Sequence, residues 1–223
     1  VVDGLAATAV DTVAELQALA DAAKAAVEYK GEAGQTAPTA EQLNAIAGGA
    51  GVTADNLAAV QAAVAAANAD ADGKPVTQAE LQAIIKGINE ASAALGVFAE
   101  ANKTGLATAT GDVPTTDSYS AAGVKGVTAD NLAAINDALA SDAVKGTSAD
   151  TPAEIQAIVD AYSKVLAAAD GNATDNSTGA AIASKEDYAA IGVAGTTDAS
   201  AALLSDVVDG LAATAVDTVA ELQ

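Results

Sequence analysis

Residues 1–17 and residues 207–223 are the same string, VVDGLAATAVDTVAELQ, at an offset of 206. Chance does not produce a match of that length. It constrains the fold before any local propensity is weighed, because a periodic chain builds one unit many times over. The expectation is a 206-residue period, with this chain covering one period plus an overlap and both ends lying inside a longer polypeptide.

A finer period lies within it. The phrase T-x-A-E-[LI]-Q-A-[LI] occurs at Thr12–Leu19, Thr77–Ile84 and Thr151–Ile158, and its first half returns at Thr218. The spacings of 65, 74 and 67 residues together make the same 206. A second phrase, G-V-T-A-D-N-L-A-A-[VI], occupies Gly51–Val60 and Gly126–Ile135, with a degenerate version, GTTDASAALL, at Gly195–Leu204. Each is preceded by a shorter segment: TAEQLNAIAG from Thr39, TDSYSAAG from Thr116, SKEDYAAIG from Ser184.

These phrases read as helix starts. Thr12/Glu15, Thr77/Glu80, Thr151/Glu154 and Thr39/Gln42 are capping boxes, in which the two side chains satisfy each other's exposed backbone N–H groups. Pro152 stands at a first helical position, where its missing N–H costs nothing. Thr53 and Thr128 are followed by Asp in the first turn, a charge that the helix dipole favours. Beyond each cap the apolar residues step by three and four, as in Leu81, Ile84, Ile88, Ala91, Leu95 and in Ile155, Ile158, Tyr162, Val165. One apolar stripe per helix requires neighbours to pack on.

Composition agrees with an all-α reading. Ala dominates, with one Phe (Phe98), four Tyr and no Trp, Met or Cys, so the core is thin and suited to closely packed helices. The expected architecture is all-α: tandem small three-helix bundles, three diverged units to each 206-residue super-repeat. Residues 1–38 then end the third unit of a preceding copy, 39–115 form unit one, 116–183 unit two, and 184–223 start unit three, which continues into the next copy. Bundles of this size are marginal alone, and stacking on neighbours adds buried area. Gly48–Gly51 and Gly123–Gly126 read as links between first and second helices, and Thr104–Ser118 and Ala169–Ala183 as looser connectors.

The missing residues exclude much chemistry. Without His or Cys there is no Ser–His or Cys–His nucleophile pair and no ordinary zinc site. Without Arg there is no bidentate phosphate clamp. A net charge of −21, from nine Lys against thirty acids, repels nucleic acid and anionic membranes and weakly attracts divalent cations. No apolar run approaches a membrane span, so no span is expected in this segment, nor does a signal-peptide pattern occur within these residues. No enzyme is expected, and no catalytic or cofactor-binding set stands out.

One stretch has the beginning of a calcium loop. Asn68, Asp70 and Asp72 offer oxygens at alternate positions, and Gly73 permits the sharp turn. The acid required at position 12 arrives one residue late, as Glu80, which also belongs to a capping box. Asn68, Asp70, Asp72 and Glu80 are thus the candidate metal ligands, for calcium, against the plainer reading of a polar turn between helices. Asp170, Asn172, Thr174 and Asp175 repeat the pattern with less of it. Asn102, Asn172 and Asn176 head N-glycosylation sequons. Tyr119 and Tyr188 occupy matching places, where the remaining unit has Leu43, and read as core.

The phrases GVTADNLAAV, SKEDYAAIGV and TPAEIQAIVDAYSKVLAAADGNAT resemble the Ala-rich helical repeats of very large bacterial surface proteins and adhesins. Such proteins often belong to the type I secreted, calcium-associated class. The resemblance covers nearly the whole chain as a repeat style and carries no catalytic motif. It implies export, a cell-surface or matrix location, and function through length and copy number. The expected role is a structural segment of a giant extracellular fibre, stalk or matrix protein. Its partners would be neighbouring copies of the same repeat, extending to a homopolymeric filament. The alternative from another class is a helical-bundle module that binds a host protein or glycan.

Overall fold

The computed structural model describes residues 11–49, 51–69, 74–172 and 183–223. Among them the chain is all-helical. Ten α-helices follow one another: α1 (Val13–Glu28), α2 (Ala40–Ala47), α3 (Leu57–Asn68), α4 (Gln78–Ala101), α5 (Thr116–Ala121), α6 (Leu132–Leu139), α7 (Pro152–Ala168), α8 (Lys185–Ala190), α9 (Asp198–Asp209) and α10 (Val219–Leu222). Short 3-10 turns occupy Leu106–Thr108, Gly146–Ser148 and Ala213–Ala215. Extended pairing among the described residues is confined to a single bridge between Asp170 and Ala212. No described helix is long and apolar enough to cross a membrane.

The caps explain where most helices start. Thr12, Thr39, Thr151 and Thr218 each accept from the backbone N–H three residues on, and the Glu or Gln at that position returns a bond to the cap's own N–H. Thr77 and Glu80 make the same reciprocal pair at 3.2 and 2.8 Å. α5 is capped by Thr115, with Ser118 answering it, one residue before the segment marked in the sequence. α3 and α6 begin a turn later than Thr53 and Thr128. Asn56 and Asn131 turn their side-chain oxygens back onto the N–H of Thr53 and Thr128, at 2.8 and 2.7 Å. The intervening turn still closes, with the Leu57 N–H reaching the Thr53 carbonyl at 3.0 Å.

The chain divides into two compact units, one ending at Glu90 and one running Ala91–Gln223. In the first, α1 packs on α2 and α3. Its core joins Ala22 and Ala26 of α1 to Leu43 and Ile46 of α2, Val60 and Val64 of α3, and Leu81, Ile85 and Ile88 of α4. In the second, α7 packs on α6, α8 and α9, and α10 packs on α6. Its core is centred on Tyr119, Ile135, Leu139, Ile155, Tyr162, Tyr188 and Ile191, all fully buried. Each such aliphatic residue contributes about 1.5–3 kcal/mol by leaving water.

A polar tether recurs in both units. In α3, Gln61 donates to the Pro38 carbonyl at 2.8 Å; in α6, Asn136 donates to the Pro114 carbonyl at 2.9 Å. In α9, Ser205 donates to the Ala183 carbonyl at 3.3 Å. Each acceptor immediately precedes the N-cap of a short helix: Thr39, Thr115 or Ser184. Three different side chains thus fix the entry of α2, α5 and α8 to the helix that follows each. A buried carbonyl left without such a donor is costly.

Candidate docking interface

The phrase that opens each long helix does more than cap it. Five residues after the cap stands a Gln, and its carboxamide reaches the chain leaving the preceding short helix. Gln82 donates to the Ala47 carbonyl at 2.6 Å. Gln156 donates to the Lys125 carbonyl at 3.1 Å and accepts from the Lys125 N–H at 2.7 Å. Gln223 donates to the Gly192 carbonyl at 3.0 Å. The apolar residue one position before this Gln is buried in each case, as Leu81, Ile155 and Leu222.

Glycines let the helices come close. A Cβ on Gly51 would stand 2.7 Å from the Ile85 side chain. Gly192 lies in the left-handed region at φ 94°, and a Cβ there would meet the Ser141 hydroxyl at 2.5 Å. The same Cβ would lie 3.5 Å from the Val219 side chain, and the Val219 N–H donates to the Asp137 carboxylate at 2.7 Å, a negative charge set at a helix N-terminus. Asp217 is held above the ordinary carboxylate value, first by burial and then by the nearby Glu221 and Asp137.

The first member of the series is different. Thr12 and Glu15 form their capping box, yet Val13 is 85% exposed and Leu16 44% exposed. The same residues at the other end, Val219 and Leu222, are 7% and 5% exposed. Gln17 bonds within its own helix, to Asp21 at 2.9 Å.

The candidate calcium loop divides. Asp70 and Asp72 lie outside the described residues. The Asn68 side chain is buried; its nitrogen donates to the carbonyls of Ala26 and Tyr29 at 2.7 and 2.8 Å, and its oxygen accepts from the Val76 N–H at 2.7 Å. It joins the end of α3 to the end of α1 and to the approach of α4. Glu80 is engaged in its cap, and the hydrogen bonds from Thr77 hold its carboxyl below the ordinary value. In the second loop Asp170 accepts from the Asn172 N–H at 2.8 Å, while Thr174 and Asp175 lie outside the described residues. Among the described residues no group of three or more acidic side chains is placed to hold a metal ion. Of the sequons, Asn176 lies outside the described residues. Asn102 is buried, with its amide bonded to the Phe98 and Thr110 carbonyls.

Tyr119, Tyr188 and Leu43 are each fully buried. The Tyr119 hydroxyl donates to the Asn136 side-chain oxygen at 2.6 Å, and the Tyr188 hydroxyl pairs with Ser205 at 3.2 Å. Sequence reasoning missed the tether residues Gln61, Asn136 and Ser205 and the partner of the docking Gln. The Gln itself was visible in the repeated phrase. Comparison with protein-family models, curated proteins and solved structures gave no match, so a functional reading rests on this geometry and on the repeated sequence.

Proposed function

We propose that the chain is a structural tandem-repeat segment of a giant extracellular or cell-surface fibre, stalk or matrix protein. It is built as successive three-helix bundles, and it acts by mechanical extent. The observation that carries this reading is the docking contact made in turn by Gln82, Gln156 and Gln223, each from the same phrase to the chain leaving a short helix. A contact that recurs inside each unit with the sequence period closes the same bundle again and again, which is the per-repeat contribution to the stability of an array. The acidic surface keeps a long array soluble and in mutual repulsion. The surface-protein resemblance of the repeats supports an exported location.

Neighbouring copies of the same repeat are the partners in this reading, with filament formation as its extension. Catalysis has no part in it, since the chain lacks His, Cys and Arg. Negative-stain electron microscopy of the native material tests the proposal. Extended particles with a regular bead spacing are expected; discrete globules of single-copy size would count decisively against it.

A further inference from the structure

The tether residues set a common register along the chain. Four residues beyond each, about one helical turn on, stands a buried residue: Ala65 after Gln61, Ala140 after Asn136, Asp209 after Ser205. The first two are apolar, at 9% and 0% exposure; the third carries a carboxyl group, at 3%. Among the described residues, Oδ1 of Asp209 lies out of water with no hydrogen-bond partner, and no described ion pair includes Asp209. A carboxyl oxygen taken out of water with neither a donor nor a cation is costly. We propose that Asp209 and Asp170 together hold a calcium ion where the chain leaves α7.

The same register says what Asp209 faces. Shortly after α1, α4 and α7 comes a glycine at positive φ: Gly31, Gly105 and Gly171. A Cβ on Gly31 would lie 3.4 Å from the Ala65 Cβ, and the Gly105 N–H donates to the Ala140 carbonyl at 3.0 Å. In the third instance the Gly171 N–H donates to the Leu211 carbonyl at 2.9 Å, and Asp170 bridges to Ala212. These contacts lay the turn Asp170–Asn172 along the chain that leaves Asp209. Asp170 Oδ1 accepts from the Asn172 N–H at 2.8 Å, and the turn is exposed, which opens a route for an ion from solvent. In the first unit a side chain closes this place: Asn68, seven residues after Gln61, donates to the Ala26 and Tyr29 carbonyls. Seven residues after Ser205 stands Ala212, which brings no such donor. Two carboxylates match the charge of a divalent ion, and main-chain carbonyls and water complete a calcium shell of about six to eight oxygens. Magnesium gives up its water reluctantly and suits a buried oxygen less well. With two acidic ligands the affinity falls at the weak end, on the order of 10⁻⁴–10⁻³ M.

The experiment follows thermal unfolding of the full 223-residue chain in calcium and in chelator, at constant ionic strength. Calcium is expected to raise the unfolding midpoint of the parent, because an ion bound only by the folded state stabilises it. Asp209→Ala installs the residue that Ala65 and Ala140 already show to be compatible with the packing. It is expected to lose the calcium response and to be at least as stable as the parent in chelator. Asp206→Ala removes the same charge from an exposed place on α9 and should keep the response. That comparison separates a site from general screening of the −21 charge.

Asp170→Asn gives a second arm at an exposed residue, and should move the calcium response at least about tenfold higher in concentration. No calcium shift in the parent, an equal shift in Asp209→Ala, or a response unmoved by Asp170→Asn each overturns the site. So does an Asp209→Ala chain less stable than the parent in chelator, since the buried oxygen would then already have a partner. None of these outcomes touches the tandem reading, which rests on the recurring Gln contact and fails only on the microscopy of native material.

Discussion

The first core closes around Leu43, Val60, Val64 and Leu81; the second closes around Tyr119, Tyr162 and Tyr188. The position at the centre of the short helix is Leu43 in one, and Tyr119 and Tyr188 in the other. Around Leu43, which brings no hydroxyl, the tether residue Gln61 donates to the Pro38 carbonyl. Around the tyrosines the tether residue does two jobs: Asn136 holds Pro114 and accepts from Tyr119, and Ser205 holds Ala183 and pairs with Tyr188. The larger side chain fills more volume but brings a hydroxyl that must be satisfied, and the diverged unit supplies a partner for it. Repeats therefore diverge in linked positions, with the main-chain bond kept and the side chains renegotiated.

Alkaline titration should separate the two cores most strongly. The hydroxyls of Tyr119, Tyr162 and Tyr188 are all held above their ordinary value of 10.0, with burial the leading cause; Asp137, Asp217 and Glu221 add to it at Tyr162. A raised folded-state value means that these groups add stability which is complete below pH 10 and is lost as the pH climbs above it. Three of the four tyrosines belong to the second core. Tyrosinate absorbance and near-ultraviolet circular dichroism should change together in one cooperative step above pH 10. Gradual, independent ionisation of all four with the near-ultraviolet signal retained would show that the tyrosines are not sealed as described.

Truncating the two centres gives the next largest effect. Tyr119→Ala should cost about 3–5 kcal/mol and Leu43→Ala about 2–5 kcal/mol in denaturant unfolding, the aromatic at the upper end. Tyr119→Phe isolates the hydroxyl. It keeps the packing and leaves the Asn136 oxygen without its 2.6 Å donor, at an expected cost of about 1–3 kcal/mol. If Tyr119→Phe proves neutral while Tyr119→Ala does not, the linked-position account is wrong and the ring alone matters.

What could be read from sequence follows the range of the interaction. Capping boxes act over three residues, so Thr12/Glu15, Thr39/Gln42, Thr77/Glu80 and Thr151/Glu154 were legible, and all four are formed. The all-helical class followed from the same caps and from apolar spacing. The tether was not legible, because its donor is a different residue in each instance, Gln61, Asn136 and Ser205, and bonds to main-chain carbonyls 22 or 23 residues earlier. Asn68 shows the same limit from the other side. Its place in an Asn-x-Asp-x-Asp string suggested a ligand, but its side chain reaches Ala26 and Tyr29, about 40 residues away, through backbone atoms that carry no sequence signature. The docking Gln lay between: its recurrence was plain, and only the fold supplied its acceptor.

The smallest expected effect is at the caps, and there the cores should not differ at all. Thr77 opens the helix that seals the first core and Thr151 opens the one that crosses the second, and both boxes have the same reciprocal geometry. Thr77→Ala and Thr151→Ala should each cost about 1 kcal/mol, the usual worth of an N-cap side chain. Equality is the informative result, because the local cap then does not depend on whether Leu43 or Tyr119 stands behind it. Acid adds a check at Thr77. The Glu80 carboxyl is held below its ordinary 4.5 by the Thr77 hydrogen bonds, so its contribution is complete above that pH and fades as the pH falls through the lower folded value. Thr77→Ala should therefore flatten the acid limb of the stability curve. A limb of unchanged slope would mean that Glu80 is held down by something other than its cap.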